Sequence, residues 1–92
     1  KNILAFKDIN PQAPVHILII PKIHISTLND IDAINSDIIG DLVKTASEIA
    51  KIEGIDCSGY RIVFNCNHDG GQTVFHIHLH LIGGRLLSWP PG

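Results

Sequence analysis

The 92-residue sequence has no methionine, two cysteines and one tryptophan, and only 17% of its residues are charged. No apolar run approaches the ~18 residues that a membrane-spanning helix needs. No signal-peptide pattern is visible. Cys57 and Cys66 form neither a CxxC pair nor a disulfide framework, which suits a reducing compartment. A formal charge of −2 gives no general surface for nucleic acid or anionic membrane. Repeats, low-complexity tracts and linkers are missing, so one domain over residues 1–92 is expected. No initiator methionine precedes Lys1, and Asn2-Ile3-Leu4-Ala5-Phe6 already reads as a strand. An N-terminal segment missing from this chain is therefore an expectation.

What is present is a succession of short apolar stretches and one long amphipathic one. Residues 3–7 predict a strand, followed by a rigid loop in which Pro11 and Pro14 fix torsions and remove amide donors. Val15-His16-Ile17-Leu18-Ile19-Ile20 predicts a second strand, ended by Pro21 and covered on both faces except at His16. Ser26, Thr27 and Asn29 can cap a helix in the connection that follows. Ile38, Ile39, Leu42, Val43, Ala46, Ile49 and Ala50 recur at three- and four-residue spacing and predict a helix over 36–53. Asn35 or Ser36 would cap its start and Gly54 would stop it. Tyr60 to Asn65 predicts a third strand, 67–72 a loop, and Thr73 to Ile82 a fourth strand. The fold class expected is α+β, one long helix against an antiparallel meander.

Three of the six histidines alternate with aliphatic residues in His76-Ile77-His78-Leu79-His80-Leu81-Ile82. With the period of two of a strand, the imidazoles share one face and Ile77, Leu79 and Leu81 the other. On a helix the same spacing would scatter them. Three readings follow. The histidines can be metal ligands, since imidazole binds zinc well. They can be surface residues without further role. Or one can be a nucleophile with proton carriers and oxyanion donors beside it. Against metal, the cysteines lie at no finger spacing, and the preceding Gly70-Gly71-Gln72-Thr73 loop exposes amide and hydroxyl donors suited to an anion. Clustered imidazoles also lower one another's pKa, which keeps a nucleophile neutral.

The His-φ-His-φ-His-φ-φ pattern of residues 76–82 resembles the signature of the histidine triad superfamily. The blocks Asp8-Ile9-Asn10-Pro11-Gln12-Ala13-Pro14-Val15-His16, Pro21-Lys22-Ile23-His24-Ile25-Ser26, Gly70-Gly71-Gln72-Thr73, Gly83-Gly84-Arg85 and Trp89-Pro90-Pro91-Gly92 narrow the resemblance to its HINT branch, the purine nucleoside phosphoramidases. The resemblance covers essentially the whole chain, lacking the family's N-terminal helix and first strand. It implies a hydrolase of the P–N bond of adenosine 5′-phosphoramidates, working without a metal or other cofactor. His78 would attack the α-phosphorus and form a nucleotidyl-histidine, from which water releases AMP. His80, Gly71, Gln72 and Thr73 would hold phosphate oxygens and assist the departing amine, and His76 with His16 would form a supporting relay. Asp8 would bind the ribose hydroxyls, Ile9 the purine, and Asn65 the sugar or phosphate, with Leu79 also in contact with the nucleotide. By the same resemblance Trp89 would lie in a tail that reaches the partner subunit's site. The sheet is expected to continue across a homodimer.

Two alternatives stand beside this expectation. One is a dinucleoside polyphosphate hydrolase, against which the Trp-Pro-Pro-Gly tail argues. The other is a nucleotide-binding or protein-interaction module with incidental catalysis. Cys66-Asn67-His68 departs from the acidic, glycine and small residues that relatives carry there, and Asn67 can replace a glycine because Asn tolerates left-handed torsions. His24 reads as a surface residue on the way into the helix connection. The expected location is the cytoplasm, with the nucleus as a second compartment.

Overall fold

The amphipathic stripe in the middle of the sequence becomes α1 (Asp37–Ile52), and everything else is arranged around what it covers. The computed structural model describes residues 2–92. Leu42, Ala46 and Ala50 recur every four residues, share one side of the helix, and are buried there. Ile38, Ile39 and Ile49 pack along the margins. Val43, counted in the stripe from sequence, is 40% exposed. It sits about 100° around the axis from Leu42 and falls off the edge of the contact.

The ends of α1 divide the expectations. Ser36 makes no side-chain capping bond, and Asn35 Oδ1 accepts instead from the Asp32 N–H at 2.8 Å. Asp32 Oδ1 accepts from the amides of Ile34 and Asn35, so a polar turn delivers the chain into the helix. Gly54, at φ 73°, stops it as expected. In the preceding connection, Thr27 caps a short 3₁₀ turn (Leu28–Asp30) in a reciprocal arrangement with Asp30.

Four strands form one sheet: β1 (Ile3–Lys7), β2 (Val15–Pro21), β3 (Tyr60–Phe64) and β4 (Leu79–Gly83). Its order is β1-β2-β4-β3, and every neighbouring pair is antiparallel. The class α+β holds, but the sheet is not a consecutive meander. The chain leaves β2, crosses one face as α1 and returns in β3 parallel to β2, one place removed. Parallel strands need such a crossover, and β4 fills the vacant place.

Ile17, Ile19, Leu79 and Leu81 point from β2 and β4 into the core beneath α1, with Ile25, Ile55 and Ile77. Their alternates His16, Leu18, Ile20, His80 and Ile82 take the other face. That face carries no helix, so β2 is not covered on both sides: Leu18 and Ile20 are half-buried.

The predicted fourth strand over 73–82 is the largest revision. Only Leu79–Gly83 is in the ladder: the last register pair is Ile19 with Leu79, although β2 itself runs two residues further, to Pro21. Upstream the chain peels away, and Ile77 N–H donates to the Ile25 carbonyl at 2.7 Å. The predicted loop over 67–72 contains one helical turn, α2 (Asn67–Gly70). Asn67 adopts φ 60°, the left-handed torsion anticipated for it.

Leu42→Ala should cost about 2–5 kcal/mol of unfolding free energy, because the fully buried site cannot collapse around the void. Val43→Ala should cost less than about 1 kcal/mol. Urea unfolding of the two variants checks the ordering; equal losses would contradict the observed helix rotation.

Candidate active site

His16 and His80 meet because antiparallel β2 and β4 place them on the same face, with Leu18 opposite His80 and His16 opposite Ile82. Their contact is a hydrogen bond of 2.9 Å between His16 Nε2 and His80 Nδ1. The direction of that bond is fixed from outside. The backbone N–H of Gln12, in the proline-braced loop, donates to His16 Nδ1 at 3.0 Å. A peptide N–H can only donate, so Nδ1 holds a lone pair and His16 carries its proton on Nε2. His16 therefore donates to His80 Nδ1, and neutral His80 carries its own proton on Nε2. Asp8 Oδ2 lies 3.4 Å from His16 Nε2, a weaker second acceptor for the same proton, while Asp8 Oδ1 accepts from Asn10 N–H at 2.9 Å.

The remaining triad members lie in the segment that peels off β4. His78 Nδ1–H donates to the carbonyl of His76 at 2.9 Å. This leaves a lone pair on His78 Nε2. His78 and His80 meet edge to face with ring centroids 5.1 Å apart. His76 Nε2–H donates to the Pro21 carbonyl at 2.7 Å, and its Nδ1 faces His24 Nδ1 at 3.2 Å. The expected pairing of His76 with His16 is thus replaced by two separate pairs, His16–His80 and His24–His76. The cause is the early end of the ladder, which turns His76 toward residues 21–26 rather than along the sheet.

Burial lowers the pKa of His80 from the ordinary imidazole value, and the neighbouring His78 and His16 lower it further; Asp8 opposes them. The proton count gives the same answer. Nδ1 of His80 already accepts from His16, so a proton added to His80 finds no lone pair without breaking that bond. This also bears on metal. Asp8, His16 and His80 offer ligand atoms within 4.8 Å of one another, but simultaneous ligation by both rings would move the His16 proton to Nδ1, against the Gln12 N–H. The donor set fits a hydrogen-bonded relay better than a metal.

A cleft of about 290 Å³ opens beside His78, walled by Phe6, Leu18, Ile20, Val74 and His76. It is apolar on one side and imidazole-lined on the other. Gly71, at φ 83°, closes α2, and Thr73 is exposed beyond it. Gln72 is not available as a phosphate donor. It is 5% exposed, with Nε2 donating to the carbonyls of Ser26 and Val74 at 2.8 and 3.0 Å and Oε1 accepting from Asn67 N–H at 2.9 Å. Its side chain staples the loop to residues 24–26. Leu79 is 0% exposed in the core, which rules out a side-chain contact with ligand. Ile9 is 101% exposed beside Asp8. Asn65 lines a different cavity of about 370 Å³ with Gln12, Arg61, Val63 and Ile82. Trp89 is 79% exposed, and the Arg61 guanidinium lies 5.8 Å from its ring centroid. Sequence reasoning missed His24, whose link to His76 spans 52 positions and depends on where β4 leaves the sheet.

Comparison with known proteins places these features. The HIT domain model matches residues 1–87. The purine nucleoside phosphoramidase of Escherichia coli (strain K12) is 53% identical over 86 residues, covering 94% of this chain and 72% of that protein. An Arabidopsis thaliana protein named adenylylsulfatase HINT1 is 51% identical over 92 residues, covering 98% and 62%. The crystal structure of a HIT family hydrolase from Legionella pneumophila Philadelphia 1 superposes with a TM-score of 0.98 at 56% identity, covering 100% of this chain and 82% of that one.

An NMR titration should find the His80 midpoint below the ordinary imidazole range. Asp8→Asn should lower it further, because the carboxylate is the one influence that raises it. The unfolded chain takes the proton first, so stability is lost as pH falls from the ordinary value through the depressed one. A midpoint at or above the ordinary range would refute the closed relay. Gln72→Ala should lose about 1–3 kcal/mol by urea unfolding, since it strips partners from three backbone groups. Unchanged stability with weakened nucleotide binding would instead restore Gln72 as a ligand.

Proposed function

The chain belongs to the HIT domain family and is a hydrolase, and on that premise we propose that it cleaves the P–N bond of adenosine 5′-phosphoramidates. The observation that carries the proposal is the bond from His78 Nδ1 to the His76 carbonyl. It holds the nucleophile in the tautomer whose Nε2 lone pair is free to attack phosphorus. Imidazole is competent for this at neutral pH, and the substrate's adenosine would lie in the adjoining apolar cleft.

In the first step His78 Nε2 bonds to the α-phosphorus and the P–N bond to the amine breaks, the amine leaving with a proton from solvent. In the second, water attacks phosphorus, the bond to His78 breaks, and the water's surplus proton returns to solvent, giving AMP. His80 contributes its Nε2–H to a phosphoryl oxygen, where charge builds in both transition states. The tautomers set by Gln12 and His16 support this donor role. Gly71 and Thr73 are assigned to the phosphate, Asp8 to the ribose hydroxyls, and the exposed Ile9 to the face of the purine. Asn65 is assigned to the sugar or phosphate, at the border of the neighbouring cavity. No metal is assigned to the reaction. We further assign a homodimer that continues the sheet through one of its outer strands, β1 or β3, and a tail carrying Trp89 that reaches the partner's site.

A phosphosulfate would pass through the same nucleotidyl-histidine, and the name of the Arabidopsis relative makes adenylyl sulfate the second substrate to assay. Rapid-quench mass spectrometry with an adenosine phosphoramidate should find AMP attached to His78. His78→Asn should abolish the adduct and lower turnover on the order of 10⁴-fold while the circular dichroism stays native. An adduct elsewhere, or turnover lost on chelation and restored by zinc, would replace this mechanism.

A further inference from the structure

His24 is exposed, yet both of its ring nitrogens are committed. The chain of bonds can be read from its one unambiguous end. The Pro21 carbonyl only accepts, so His76 Nε2 carries a proton, and neutral His76 keeps a lone pair on Nδ1. His24 Nδ1, 3.2 Å away, must then be the donor. That leaves the lone pair of His24 on Nε2, where the Ser26 hydroxyl donates at 3.1 Å. The two rings are tilted by 49° with centroids 5.3 Å apart, a geometry set by the hydrogen bond rather than by stacking.

We propose that His24 is a positioning residue for His78, acting through His76. This rests on the reading of His78 as nucleophile. The His76 side chain is fixed at both nitrogens, by His24 and by Pro21. The carbonyl of the same residue receives His78 Nδ1–H, and the next amide, Ile77 N–H, is tied to the Ile25 carbonyl. The peptide that dictates the nucleophile's tautomer is thereby anchored on both sides to residues 21–26. Residues 76–78 lie outside the strand ladder, so these bonds take the place of sheet pairing. His16 serves His80 and His24 serves His76: each half of the triad has its own imidazole orienter, drawn from opposite ends of β2 and the turn beyond it.

Two substitutions separate hydrogen bonding from bulk. His24→Leu removes the donor and keeps an apolar side chain. His24→Asn places an amide N–H near the position of imidazole Nδ1. His24→Leu should slow formation of the adenylyl-His78 adduct about 3- to 10-fold, the effect of one hydrogen bond felt at the reacting geometry, with KM unchanged. His24→Asn should stay within about 2-fold of wild type by the same reasoning. In ¹⁵N-histidine spectra of the unliganded protein, wild type should show His76 protonated on Nε2 and His78 on Nδ1, and His24→Leu should shift the His76 Nδ1 resonance, which loses its donor, and broaden the His78 Nδ1–H signal as its acceptor carbonyl loosens. Wild-type adduct rates and nitrogen signatures in His24→Leu would overturn the proposal, as would equal defects in the two variants. If wild type forms no adduct at all, the phosphoramidase reading fails, and the nitrogen signatures still decide the role of His24.

Discussion

A single peptide N–H, that of Gln12, sets the protonation pattern of the His16–His80 pair on the sheet's open face. Imidazole is ambiguous by nature, since either nitrogen can donate or accept. A ring that touches only other imidazoles stays ambiguous. The Gln12 amide removes that freedom at His16, and the decision passes to His80 through a 2.9 Å bond. The loop that presents Gln12 is braced by Pro11 and Pro14, and the Arg85 guanidinium grips the Gln12 carbonyl at 2.9 Å. Gln12 is therefore also held at its following peptide by a residue just beyond β4. A rigid loop remote from the triad in sequence thus fixes which nitrogen of His80 carries its proton.

The fold supplies a sheet face left uncovered by α1 on which such a network can be laid. Helix α1 buries one side of the sheet with Leu42 and, on the next two turns, the small residues Ala46 and Ala50. The aliphatic partners of the histidines, Leu79 and Leu81, are fully buried on that side. Burial of the aliphatic alternates anchors β4, so His80 can be presented at low conformational cost. The same arrangement desolvates His80 enough to depress its pKa while leaving the cleft beside His78 open to a ligand.

The class of fold, the helix and its stop, three of the four strands and the open torsion at Asn67 were all legible in residue pattern. So was the gathering of imidazoles into one cluster, because alternation of imidazole with aliphatic residues has few packing explanations. The strand order was not, since nothing in local pattern says that β4 inserts between β2 and β3. Nor was the division of the histidines into pairs. His76 continues the alternation in sequence but leaves the ladder in space, where the last pair is Ile19 with Leu79, and that places it with His24 instead of His16. Gln72 misled for a related reason. An amide in a glycine-rich loop reads as a ligand donor until three backbone groups are found to occupy it.

The alternation in β4 also has a bearing on how the chain finds its register. A slip of one residue between β2 and β4 would carry Leu79 and Leu81 to the open face and His80 into the space beneath α1. There the imidazole would meet Leu42, Ala46 and Ala50, none of which offers a hydrogen bond, at a cost of about 1–3 kcal/mol for the stranded polar group alone. The correct pairing instead gives each imidazole a partner and each leucine a dry neighbour. The alternating imidazoles and leucines of β4 therefore also act as proofreaders of strand pairing, since a slipped ladder deprives both faces of their partners.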